Sequence, residues 1–380
     1  MPRQTRRVPL PSNSIGAQRA VLFHDYGAPD ARPKAYLQAA IHAGEIPGLL
    51  VANHLKGLLD DAEAEGKITG RITLAPYANP IGLDQWINRQ HPGRYELMGG
   101  GNFNRNWPDL TPEVAARLEG KLGADEADNV TTIRQALAEV VEAMPAVKEM
   151  EAWRRVIARE AIDADMVLDL HCDDDALMHV YMLAEHWPAF EDLHLLLGSR
   201  GTLLADDSGG GCFDEAMALP WVRLAKRFPE AAIPAACFAT TVELRGQADV
   251  YDDLAAADAQ ALFGFLQRHG VIAGDPGPLP EPLCEATRLE ACDVVKAPVA
   301  GVLAYKIGLG ETVSKGQVIA ELVNPAAEDS GTARTPVHSG TDGTVLTLQL
   351  HKYVSPGESI AKIVGKEPLE NRKSGALVEM

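Results

Sequence analysis

The chain has 380 residues, 46% of them hydrophobic, and a formal charge of −18 at pH 7. That length buries a large core and divides into two or three domains, while the acidic balance repels phosphate backbones and anionic lipid surfaces. With neither a signal-peptide pattern nor an apolar run of membrane-spanning length, the sequence reads as a cytoplasmic globular protein that takes no nucleic acid and no membrane as partner.

In chain order, residues 1–18 begin MPRQTRRVPLPSNS and are expected to be a loosely tethered basic arm. From 19 to 272, short Val/Ile/Leu-rich runs alternate with longer helical patterns, which predicts an α/β domain with a mostly parallel central sheet flanked by helices. Expected strands are 20–24, 35–42, 71–75, 164–170, 179–183 and 239–244; expected helices are 48–64, 133–159, 214–228 and 254–269. The stretch 79–128, rich in Gly, Pro, Asn and Asp, reads as long surface loops, a place where function concentrates.

Residues 273–290 open with AGDPGPLPEP and form the expected linker. Residues 291–366 turn to short β-type runs punctuated by glycine, with an internal echo between APVAGVLAYKIGLGETVSKGQVIAELV from Ala297 and TPVHSGTDGTVLTLQLHKYVSPGESIAKIV from Thr335. Two similar halves predict a smaller all-β barrel-sandwich domain resembling biotinyl and lipoyl carriers. Where those carriers present a modified lysine, this chain has ELVNPAAED, residues 321–329, so the domain is expected to be structural or a wall of the site. Residues 367–380 remain as a C-terminal tail. Five scattered cysteines, Cys172, Cys212, Cys237, Cys284 and Cys292, lack thiolate-site spacing and read as reduced thiols.

The chemistry begins at His42 and Glu45, a His-x-x-Glu pair directly after a predicted strand, where ligand sites of open α/β sheets form. His171, in VLDLHCDD, ends another strand and supplies a third donor, completing the two-histidine, one-carboxylate set of a catalytic zinc. Asp169 shares its strand face and can accept the free N–H of His171. Taken alone, the His-x-x-Glu pair is common by chance; the conjunction gives it weight.

Glu243, in TTVELRG, interrupts a run suited to burial and is the expected general base, with an ion pair to Arg245 as the structural alternative. In GGGNFNRNWPDL, Asn104 and Arg105 offer donors for a substrate carboxylate, and Arg94, ten residues before Asn104, could steady an oxyanion; as surface charges either arginine would be ordinary. The loop DSGGGCFDEA, 207–216, either borders the pocket or is a plain turn with Asp214 as helix N-cap.

HAGE, NFNR, DLH and TVELRG occur in the order and context of the succinylglutamate desuccinylase and aspartoacylase family, which is similar to the zinc carboxypeptidases. The resemblance covers nearly the whole chain, including the β-rich C-terminal domain. It implies one Zn2+ per chain on His42, Glu45 and His171, Glu243 as general base, Asn104 and Arg105 on a substrate carboxylate, and Arg94 as the oxyanion residue. The function it implies is hydrolysis of the amide of a small N-acyl amino acid, with self-association left open. Two rivals are a metallocarboxypeptidase acting on peptides and, from another class, a non-catalytic metal-binding or carrier-like interaction protein.

Overall fold

A computed structural model of the chain describes residues 3–378. Nine strands form one large sheet: β1 (Gln4–Pro9), β2 (Ala20–Tyr26), β3 (Lys34–Ala39), β4 (Arg71–Ala75), β5 (Met166–Asp173), β6 (His179–Leu183), β7 (Gly201–Ala205), β8 (Phe238–Gly246) and β9 (Ala286–Arg288). Their order is β1-β2-β4-β3-β5-β8-β6-β7-β9. The sheet is mixed: β4-β3-β5-β8 and β6-β7-β9 run parallel within each group, while β1/β2, β2/β4 and β8/β6 are antiparallel.

Alternate residues of the central strands feed two cores, one on each face. Tyr36 and Val167 pack with α2 (Thr111–Leu118), α3 (Glu126–Glu142), α4 (Glu149–Ala161) and α6 (Phe213–Arg227). Leu37 and Leu168 pack with α1 (Pro47–Ala64), α5 (Trp187–Leu196) and α7 (Asp252–Arg268). In α1 the buried Val51, Leu55, Leu59 and Ala62 recur at three or four positions, the stripe that seats a helix on a sheet. No described helix is long and apolar enough to cross a membrane.

The C-terminal region carries two further antiparallel sheets. β10 (Cys292–Lys296), β15 (Ser359–Val364) and β14 (Gly343–Leu348) are consecutive in one; β13 (Arg334–His338), β12 (Val318–Val323) and β11 (Gly301–Tyr305) are consecutive in the other. The short strand Asp175–Ala176, leaving the large sheet, pairs with β14 and ties the two regions by backbone hydrogen bonds.

Several expectations are corrected. Residues 4–9 of the predicted arm form β1, because Arg6 finds Glu160 (2.7 Å) and Asp25, so its charge is paired at the sheet edge rather than solvated. The linker 273–290 is irregular only in part, since Ala286–Arg288 adds to the sheet edge beside β7. The helix expected over 133–159 splits into α3 and α4 around Pro145, which lacks an N–H and disfavours helical backbone before it. The loop region 79–128 contains α2, begun by Pro112 in its first turn.

Trp153 in α4 is fully buried, donates Nε1–H to the Ala78 carbonyl at 2.7 Å, and packs edge-on against Phe103 and Trp107. It thereby backs the segment that carries Asn104 and Arg105. Trp153→Ala is expected to cost about 3–5 kcal/mol, read as a lower midpoint in denaturant unfolding.

Candidate active site

The site lies beyond the C-terminal ends of β3, β5 and β8. β3 closes with Ala40 in left-handed backbone, φ 57°, and the turn that follows delivers His42 and Glu45 before α1 begins. His171 sits near the end of β5. Parallel register sets Glu243 of β8 directly beside His171, so both side chains leave the same face.

Three donors converge. His42 Nδ1 lies 2.9 Å from Glu45 Oε1, and His171 Nδ1 lies 2.7 Å from Glu45 Oε2. The ligand atoms of His42, Glu45 and His171 all fall within 4.8 Å of one another, and all three residues are buried. The far nitrogens are held as well: His42 Nε2 is 2.7 Å from Asn102 Oδ1, and His171 Nε2 is 3.0 Å from Asp169 Oδ2. With an ion bound, the oxygen acceptors at both far positions would keep the N–H protons there and leave each Nδ1 lone pair aimed at the common centre. That donor set is the one catalytic zinc uses, and the residues fit such an ion.

Electrostatics agree with a site built for a cation. Burial opposes ionisation of Glu45, but the two imidazoles outweigh it and hold the carboxyl well below its usual range. Burial lowers the pKa of His42. It works against charge on His171 too, yet Asp169 and Glu45 outweigh it and raise that pKa well above the usual value. The two histidines diverge because His171 has the Asp169 carboxylate beside it in addition to Glu45, whereas His42 has Glu45 alone and faces the cationic Arg94 and His171.

Glu243 faces this centre with no competing partner. Its Oε2 is buried and accepts no hydrogen bond; burial, helped by the Asp173 and Glu45 carboxylates and opposed by His171 and Lys362, leaves its pKa raised to about 8. The alternative ion pair is absent: Arg245 has φ 64°, turns away, and donates to Asp258 Oδ1 at 3.2 Å. Asp173, His179 and Glu243 also approach within 4.8 Å, but the Lys362 ammonium already occupies that corner on Asp173. A second cation there would meet it at close range.

Asn104 Oδ1 accepts the Phe213 N–H at 2.8 Å, which fixes its amide at the start of α6. Arg105, buried at 8% exposure, donates Nη1–H to the Asn104 carbonyl at 2.8 Å. Arg94 stands at the mouth, its side chain 49% exposed and Nη1 3.2 Å from Glu45 Oε1. All seven predicted site residues line one cavity of about 180 Å³. Asp214 lines it also but is not a helix cap: Cys212 precedes the first helical residue, and burial and Asp169 push the Asp214 carboxyl up to about 6.

Sequence reading missed Asn102, Tyr181, Lys362, Leu377 and Val378. Asn102 had a signal, sitting two residues before Asn104 in the same Asn-rich motif. Lys362 had none, because nothing local shows that a β15 lysine reaches across to Asp173 and, at 3.3 Å, to the Tyr181 hydroxyl.

A buried three-donor centre at the strand ends of a mixed α/β sheet, faced by an unpartnered carboxylate, has the form of a metal-dependent hydrolase site. The catalytic domain of the succinylglutamate desuccinylase/aspartoacylase family matches residues 31–268, and the chain belongs to that family of deacylases. Among curated proteins it is similar to an N-alpha-acetyl-L-2,4-diaminobutyric acid deacetylase from Halomonas elongata, 24% identical over 341 residues that span 87% of this chain and 82% of the relative. A succinylglutamate desuccinylase/aspartoacylase family protein from Shewanella amazonensis superposes with a TM-score of 0.83 at 25% identity, covering 96% of this chain and 98% of that one. The product-bound ectoine utilization protein EutE (DoeB) from Ruegeria pomeroyi shares the fold, with a TM-score of 0.67 at 17% identity over 96% and 95% of the chains.

Asn102→Ala removes the acceptor that orients His42. Affinity for Zn2+ is expected to fall about 10–100-fold, measured by competition with a chromophoric chelator, while the far-UV spectrum stays unchanged.

Proposed function

We propose that the chain is a zinc-dependent deacylase that hydrolyses the amide of a small N-acyl amino acid or similar N-acyl amine, with one zinc per chain. The observation that carries this reading is the buried, unpartnered Glu243 oxygen, on the strand position beside His171 and lining the same cavity as the three donors. A protein that only bound metal would gain nothing from leaving that carboxylate unpaired, since a buried acceptor without a partner costs stability. The Halomonas elongata relative, whose name specifies removal of an acetyl group from a small amino acid, supports the substrate class.

Zinc on these three residues would polarise the amide carbonyl and make water acidic enough to ionise near neutrality. Glu243 accepts a proton from the water that attacks the carbonyl carbon, then donates it to the nitrogen as the C–N bond breaks, releasing a carboxylate and an amine. Arg94, at the cavity mouth beside Glu45, steadies the negative oxygen that develops. Asn104 and Arg105 hold the substrate carboxylate, and Asn102 and Asp169 keep the imidazoles aligned.

The cavity of about 180 Å³ is below the roughly 300–1,000 Å³ of drug-sized pockets. That size favours a small N-acyl amino acid over the peptide substrate of a carboxypeptidase. In the C-terminal region, two facing antiparallel sheets and two echoing sequence halves support a barrel-sandwich that walls the site.

Glu243→Gln is expected to lower kcat by at least about 100-fold, in an assay of amine release from N-acetyl amino acids, with bound zinc unchanged. Wild-type activity with the metal bound but no loss in this variant would rule out Glu243 as the base. The pH dependence has a definite sign. Only ionised Glu243 accepts a proton, and burial raises its pKa from 4.5 to about 8, so kcat/KM should rise with pH along an acid limb whose midpoint lies above 4.5. A bound cation moves that midpoint down from 8 without reversing the slope.

A further inference from the structure

The three glycines of the 207–216 loop have no part in the mechanism above, and their surroundings assign them one. Gly209, Gly210 and Gly211 all have left-handed backbone, with φ of 84°, 72° and 61°. On one side this loop is bonded to the substrate segment, since Asn106 N–H donates to the Gly210 carbonyl (2.8 Å) and Trp107 N–H to the Gly211 carbonyl (3.0 Å). On the other side runs the tail. Gly375 N–H donates to the Asp207 carbonyl at 2.7 Å, and Leu377 and Val378 donate to the Ser208 carbonyl at 2.8 and 3.2 Å.

The contact is too close for any larger residue. A Cβ on Gly209 would lie 2.3 Å from the Gly375 oxygen. One on Gly210 would lie 2.9 Å from Val378 Cγ2 and 3.0 Å from Arg105 Cδ, so Val378 and the arginine flank the same bare Cα. Leu377 anchors the tail, 3% exposed among Leu203, Ala205, Leu289, Cys292 and Leu346. Leu377 and Val378 line the same cavity as the three donors.

We propose that residues 374–378 are a specificity-determining wall: Val378, held by the Leu377 anchor, closes the pocket beside Arg105 and restricts the amine half of the substrate to amino acids with short side chains. This rests on the deacylase reading, in which Arg105 holds the carboxylate of the released amino acid. A side chain branching from the carbon that bears that carboxylate must pass the Val378 isopropyl group. A pocket that excludes volume in this way discriminates by about 10–200-fold per methylene-sized step.

The test uses zinc-loaded full-length protein, Val378→Gly, and a chain ended after Ser374. Each is given N-acetyl derivatives of glycine, alanine, leucine and phenylalanine, with kcat/KM from amine release and equilibrium binding from calorimetry. Wild type is expected to favour the alanine over the phenylalanine derivative, and Val378→Gly to narrow that ratio about 10-fold through gains on the larger substrates. The shortened chain is expected to narrow the ratio likewise and to bind every member more weakly, because the loop bonded to the segment after Arg105 loses the hydrogen bonds of the tail. Val378→Gly decides the matter if the shortened chain does not fold, since it removes no buried anchor. An active Val378→Gly with the wild-type ratio in both turnover and binding overturns the wall and leaves the deacylase standing. Wild type that neither binds nor cleaves any member overturns the deacylase reading, and this inference with it.

Discussion

The rest of the site depends on one buried chain of close polar contacts. It runs from the Tyr36 hydroxyl to Gln38 (2.9 Å), on to Asp169 (2.9 Å), His171 (3.0 Å), Glu45 (2.7 Å), His42 (2.9 Å) and Asn102 (2.7 Å). Every member is buried. A polar chain in such surroundings is costly unless each group is paired, so its geometry is specified sharply once it forms. Glu45 is the hinge of it, one oxygen to each imidazole. The pairing of β3 with β5 sets the register, Gln38 opposite Asp169, that makes the chain continuous.

Around that chain the molecule places charge sparingly. Arg245, which could have neutralised Glu243, is turned onto Asp258 by its left-handed backbone. Lys362 arrives from the C-terminal region instead and settles on Asp173. Burial alone would raise the Asp173 carboxyl, but Lys362 and His179 leave it at about 2. The result is one corner with a satisfied ion pair and, beside it, a carboxylate kept neutral by burial until a cation or a rise in pH ionises it. The C-terminal region therefore lines the cavity and supplies charge to it, and the backbone pairing of Asp175–Ala176 with β14 ties the two regions together.

Much of this was legible in the sequence, for local reasons. His42, Glu45 and His171 follow apolar β-type runs, so strand ends were readable; Glu243 stood out because a carboxylate interrupts a buried strand. The α/β alternation and the change of texture near residue 291 were equally plain. What escaped reading depends on long-range contact. β1 was hidden because its arginines look solvated until Asp25 and Glu160 pair with Arg6. β9 was hidden by the prolines just before it, and the antiparallel pairing of β6 with β8 cannot be told from pattern, since buried strands of either direction read alike. The glycines at 209–211 signalled a special backbone, but only the fold shows that the tail lies against them.

The most direct test of the central claim is a crystal structure of the zinc-soaked protein with anomalous difference density measured across the zinc edge. The account expects one strong peak per chain, coordinated by His42 Nδ1, His171 Nδ1 and Glu45 at about 2.0–2.2 Å, with Glu243 close by but not a ligand. A peak at Asp173, His179 and Glu243 instead, or no peak with the donor triad unchanged, would contradict it.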